Sequence, residues 1–167
     1  FFKIAAENQH IDSMYQYGML LLQGKGVLRD TGKAAMFIRI AANCGNVDAL
    51  LQYGLMLLHG DGITINQEEG MKFIKKAADD GNEDGMLHYA FNLHFGIDIK
   101  NDLTEAVKYY KMAANKGVVE AVEMLFLLIQ KGVQININKD EAFQKILLSF
   151  VRDFNEIESN ENRKEKE

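Results

Sequence analysis

Four histidines, one cysteine and a few acids beside glycines are the residues of this chain able to do chemistry, and their spacing decides whether they can. His88 and His94 stand six apart, so at 100° per residue they point about 120° away from a common helix face. Neither a His-Glu-x-x-His motif nor a pair of cysteines accompanies them. Gly60-Asp61-Gly62 begins like a calcium loop, but Ile63 and Ile65 occupy positions where such a loop needs oxygen ligands. Gly24-Lys25-Gly26 is too short to cradle a phosphate and follows a helical pattern instead of a strand. Asp79-Asp80 offers two carboxylates for acid–base work, in a turn where both are expected to be solvated. These features imply no catalytic residue, no metal and no cofactor.

The elements that would position such residues come from a repeat. Ala5-Ala6, Ala41-Ala42, Ala77-Ala78 and Ala113-Ala114 recur every 36 residues without insertion. A fixed period of this size specifies stacked supersecondary units. Each Ala pair leads into a glycine turn at Gly45, Gly81 and Gly117. An acidic residue able to cap a helix follows (Asp12, Asp48, Asp84, Glu120), then about ten apolar positions ending at Gly24, Gly60, Gly96 and Gly132. Those glycines suit a left-handed C-terminal cap. We term this segment helix A. After a short loop, Asn66/Glu69, Asp102/Glu105 and Asn138/Glu141 have capping-box spacing, with Asp30 in the same column, and helix B runs into the next Ala pair.

Within helix A, Ser13, Ala49, Gly85 and Ala121 are followed at i+4 by Tyr17, Tyr53, Tyr89 and Leu125, and at i+8 by Leu21, Leu57, Leu93 and Ile129. These define one apolar face, and Tyr15-Met19-Leu22 and Leu51-Leu55-Leu58 define a second. A helix apolar on two sides needs two neighbours. Gly18 and Gly54 fall mid-helix in a column shared with Ala90, consistent with neutral drift or with close helix approach.

The order Leu51-Gln52-Tyr53-Gly54, His59-Gly60-Asp61-Gly62-Ile63 and Lys76-Ala77-Ala78-Asp79-Asp80-Gly81-Asn82 resembles the Sel-one-like repeat, a relative of the tetratricopeptide repeat. The resemblance covers about residues 1–148. It implies an all-α, right-handed α/α superhelix, a solenoid used as an adaptor or scaffold for proteins. The second loop glycine, Gly26 and Gly62 in the first two units, is Asp98 and Gln134 in the others, so those loops must follow another backbone path. The family's usual proline and helix-B tryptophan are absent, as is the disulfide per repeat of some secreted members.

The repeats divide as 5–40, 41–76, 77–112 and 113–148, with 1–4 ending a preceding repeat. Phe1-Phe2-Lys3-Ile4 aligns with Phe37-Ile38-Arg39-Ile40, and the chain lacks an initiator Met, which suggests a piece of a longer protein. Phe143, Leu147, Phe150, Phe154 and Ile157 continue one face, predicting a capping extension over 149–158 and a charged, disordered tail over 159–167. A net charge of −5 and pI ≈ 5.4 argue against a nucleic-acid surface, and no apolar run is long enough to cross a membrane. A lone Cys44 and the lack of an Asn-x-Ser/Thr sequon favour a reducing, cytoplasmic compartment.

Once both apolar stripes are assigned to packing, a third helix-A face remains. In tetratricopeptide-type superhelices that face lines the concave groove, which makes Gln16, Leu20, Gln52, Met56, His88, Asn92 and Met124 the candidate site for a protein or peptide. Leu20, Met56 and Leu128 fit the inter-repeat core equally well. The sequence therefore favours a non-enzymatic scaffold. Two alternatives stay open: the partner-selecting region of a larger enzyme such as a protein kinase, or a hydrolase like those attributed to secreted relatives.

Overall fold

The computed structural model describes residues 8–135, 144–150 and 152. Seven helices run in order: α1 Asn8–Gln23, α2 Thr31–Asn43, α3 Val47–His59, α4 Gln67–Asp79, α5 Glu83–Phe95, α6 Leu103–Asn115 and α7 Val119–Gln130. Residues 144–150 are helical as well, and no strand occurs among the described residues. Odd-numbered helices are helices A and even-numbered ones helices B. Each packs on the next along the chain, so the hairpins stack into a solenoid. Ala5-Ala6, the Asn138/Glu141 pair, the 1–4 segment, most of the 149–158 extension and the 159–167 tail lie outside the described residues.

The Ala pairs explain the close stacking. Ala41, Ala42, Ala77, Ala78, Ala113 and Ala114 have no exposed surface, because a methyl group is all that fits between adjoining helices. Gly54 carries this further. A Cβ there would lie 2.7 Å from Ile74 Cγ1 and 2.8 Å from the Gly70 carbonyl oxygen, so α3 and α4 cross glycine on glycine. Between each pair of hairpin helices an aromatic pair meets edge to face: Tyr17 with Phe37, Tyr53 with Phe73, and Tyr89 with Tyr109, with ring centroids 5.0, 4.9 and 4.7 Å apart. Ile38, Leu50, Ile74 and Leu125 are fully buried, each contributing about 1.5–3 kcal/mol of apolar transfer energy.

The helix ends match the sequence in part. Gly60 and Gly96 cap α3 and α5 in the left-handed region, donating to Met56 O and Asn92 O at 2.8 Å. Positive φ among the described residues is confined to glycines, so Asp98, standing where Gly62 has φ +78, does reroute its loop.

Two capping assignments need correction. The acids at Asp48 and Asp84 are not N-caps. Asn46 and Asn82 cap α3 and α5, accepting from the N–H of Ala49 and Gly85 at 2.7 Å. Their amides then donate to Asp12 and Asp48 of the preceding helix A at 2.8 Å, so the acidic column ties one repeat to the next. The capping boxes are also half formed. Asn66 and Asp102 accept from the N–H of Glu69 and Glu105 at 3.1 and 2.9 Å. Their own N–H groups, however, already donate back to Leu57 O and Leu93 O, so the glutamates are not needed there. Glu69 accepts from the Asn66 amide at 2.9 Å instead, and Glu105 turns to Lys75 at 3.6 Å.

Candidate functional site

The seven residues picked out in the sequence separate by column. Gln16, Gln52, His88 and Met124 recur every 36 residues on the outward side of helix A, exposed or half-buried. Leu20, Met56 and Asn92 belong to a different column, which also contains Leu128. Met56 is fully buried and Leu128 is 2 % exposed, so Met56 is core and does not line a groove. Asn92 is 7 % exposed and follows it inward. The reason is that this column faces the preceding hairpin. Leu20 is 40 % exposed because no described helix packs on that side of α1.

Asn92 is a polar side chain in an apolar column. Its Nδ2 donates to the His88 carbonyl at 3.0 Å, while its buried Oδ1 has no hydrogen-bond partner among the described residues. His88 keeps an edge in solvent, yet surrounding protein pushes its pKa down; Asp84 opposes that shift and His59 adds to it. Burial likewise lowers His94, with Lys131 acting in the same sense. The His94 ring stacks on Phe95 at 4.2 Å, and its Nδ1 lies 3.4 Å from the hydroxyl of the fully buried Tyr110. The two histidines do not converge, and no metal-binding group of three ligands occurs among the described residues.

Asp79 corrects another expectation. It is not merely solvated: the Tyr109 hydroxyl donates to its Oδ1 at 2.6 Å, and Lys75 Nζ lies 3.4 Å from its Oδ2. Lys75 also donates to the Tyr109 oxygen at 2.5 Å and sits 5.2 and 5.0 Å from the Tyr89 and Tyr109 ring centres. Partial burial works against charge on Lys75, but the Tyr109 hydroxyl, Asp79 and Tyr89 hold its pKa above the usual lysine range. Burial, with the Asp79 bond, raises Tyr109. Lys75 and Asp79 come from α4 and Tyr109 from α6, so the cluster locks two successive helices B together. Its signal in the sequence was the column Phe37, Phe73, Tyr109, in which only the third unit adds a hydroxyl.

Stacked α-hairpins, a core of small residues, and variable side chains left on the outward face define a helical repeat protein of the kind used for protein interaction. The Sel1 repeat model matches residues 11–46, 47–82 and 84–118, and the chain belongs to that family. Two of the solved structures that share the fold show what the chain is similar to. One is c5321, a protective antigen of uropathogenic Escherichia coli displaying an SLR fold, with TM-score 0.74, 24 % identity and 89 % of this chain covered. The other is a Sel1 repeat protein from Oxalobacter formigenes, with TM-score 0.65, 23 % identity and 74 % covered. The matched region spans 32 % of c5321 and 92 % of the Oxalobacter chain. No curated protein matches the sequence. No helix of the described residues is long and apolar enough to cross a membrane.

Proposed function

We propose that the chain is a non-enzymatic scaffold that binds a segment of a partner protein along the outward, concave face of helices A. The observation that carries this is the division of labour within those helices. Buried columns such as Ala49, Tyr53 and Met56 hold the stack, whereas Gln16, Gln52 and His88 recur at one position outside the apolar core, and Met124 in the same column is only partly buried against it. Binding surfaces of this sort draw their affinity from a few anchors on rigid helices.

The test is affinity capture with the 167-residue chain as bait, followed by mass spectrometry, and repeated with Gln52→Ala/His88→Ala and with Lys72→Ala/Lys108→Ala on helices B. A partner lost with the first pair and retained with the second supports the helix-A face. Loss only with the helix-B pair places docking on the opposite side and overturns the proposal.

A further inference from the structure

Sorted by helix, the charges of this chain are segregated. Helices α1, α3, α5 and α7, of 16, 13, 13 and 12 residues, contain acids and all four histidines but no Lys or Arg, in a chain with 19 of those cations. Helices α2, α4 and α6 contain seven, among them Arg39, Lys72 and Lys108. The helix dipole accounts for the acids in the first turns, such as Asp48, Asp84 and Glu120. It does not account for the missing cations. The same field favours Lys and Arg in the last turns, where α4 does place Lys76 but the helices A end in Gln23, His59, Phe95 and Gln130.

Nor do the described residues neutralise this charge among themselves. Among the described residues, Asp12 and Asp48 accept from the neutral amides of Asn46 and Asn82, which leave the negative charge in place. Asp84 and Glu120 form no ion pair among the described residues, and Glu83 has only a 3.9 Å surface contact with Lys116. Between the N-termini of α3 and α5, Asp48, Asp80, Glu83 and Asp84 line an open depression of about 410 Å³.

Apolar groups run beside the acids. In α5, Asp84, His88, Phe91 and Phe95 follow one another at i, i+4, i+7 and i+11, a single helical stripe. Phe91 and Phe95 are 42 % and 51 % exposed with ring centres 4.5 Å apart, and Leu127, one period after Phe91, is 47 % exposed. Stacking the helices turns these stripes into parallel rows: an acidic row at Asp48, Asp84 and Glu120, and an apolar row in which Phe91 and Leu127 are exposed and Leu55, of the stripe read from the sequence as packing, is half-buried against the core. Seven residues of rise separate the rows by about 10 Å, close to the width of a helix with its side chains.

We infer that the helix-A face takes a cationic amphipathic helix of a partner protein, lying along the array with its Lys and Arg on the acidic row and its apolar stripe on the Leu55–Phe91–Leu127 row. This rests on the helix-A docking face proposed above and adds the chemistry of the occupant. Complementary charge steers the encounter and the apolar row holds the complex.

The test uses fluorescence anisotropy of the 167-residue chain with three labelled 18-residue peptides: a helix-forming Leu/Lys sequence, its Leu/Glu counterpart, and a Lys/Gln sequence of the same charge without Leu. The Leu/Lys peptide should bind at least tenfold more tightly than either of the others. Asp48→Asn/Asp84→Asn/Glu120→Gln should weaken it at least tenfold, and so should Phe91→Ser/Leu127→Ser. Lys72→Gln/Lys108→Gln should leave it within twofold. The carboxamide variants keep an oxygen acceptor for the Asn82 amide, and unchanged circular dichroism and melting verify their fold. Equal binding of the Leu/Glu peptide, or indifference to the carboxamide variant, overturns the inference. If the Leu/Glu peptide binds and Gln52→Ala/His88→Ala weakens it, the docking face stands and only its charge preference falls. If neither the carboxamide variant nor Gln52→Ala/His88→Ala affects Leu/Lys binding, while Lys72→Gln/Lys108→Gln does, the face falls as well.

Discussion

Gly54 is where one missing methyl group governs the stack. A Cβ at this position would come within 2.8 Å of Gly70 O and 3.1 Å of Ile74 N, both backbone atoms that cannot rotate aside. Gly54→Ala should therefore lose about 1–3 kcal/mol by overpacking, even though alanine is better by about 1 kcal/mol in a helix interior. Gly18→Ala should lose less, because the nearest backbone atom there is Ala34 O at 3.4 Å. Urea melts of the two variants check the order, and a Gly54→Ala chain as stable as the parent would mean that the helices separate at little cost. Asn92 presents the opposite case. Its buried Oδ1, without a hydrogen-bond partner among the described residues, occupies a column that is otherwise Leu20, Met56 and Leu128. Asn92→Met should stabilise by about 1 kcal/mol, since leaving a buried acceptor unsatisfied costs more than its single bond to His88 O returns. A lower melting temperature for this variant would show that the amide has a use the column does not reveal.

Between repeats, the Gly-Asn turn does two jobs with one side chain. Asn46 and Asn82 each cap their own helix through Oδ1 and tie it to the previous helix A through Nδ2. At the third junction Val118 takes this position, and α7 begins with no side-chain cap. Val118→Asn should supply that cap and place an amide near Asp84, raising stability by about 1 kcal/mol in thermal melts. No gain would mean that this turn differs from its two predecessors. The helix pairs and their C-terminal glycines were legible because each depends on residues within a few positions, and the period was legible because whole columns of one residue type recur every 36 residues. The second role of Asn46 was not legible, the Lys75–Tyr109–Asp79 lock left only the hydroxyl of Tyr109 as a trace, and Met56 stayed open between groove and core. Periodicity reveals which residues share a helix face, but not which neighbouring helix covers it. Partners 30 to 36 residues apart leave no local pattern when one of them is a common polar residue.

Among the described residues the main packing runs between consecutive helices, with single side-chain ties such as Lys75–Tyr109 reaching one helix further, so stability is largely a sum over neighbours instead of the property of one closed core. The same columns record this. Tyr17 and Leu20 of α1 are 43 % and 40 % exposed, whereas Tyr53 and Met56, one period on, are 7 % and 0 % exposed. A side chain that gains a preceding hairpin loses its solvent. In the 167-residue chain opening should then start at α1, on whose outer side no described helix packs, because freeing α1 separates it from one described neighbour and freeing α3 from two. Native-state amide exchange should show α3 and α4 protected more strongly than α1, with the difference shrinking as denaturant brings global unfolding within reach. Met56→Ala should cost about 2–5 kcal/mol as a buried truncation, while Leu20→Ala, in the same column, should cost less than about 1 kcal/mol. Equal protection of α1 and α3, together with equal cost at Leu20 and Met56, would show that the hairpins unfold as one unit, and the nearest-neighbour description of the array would have to be given up.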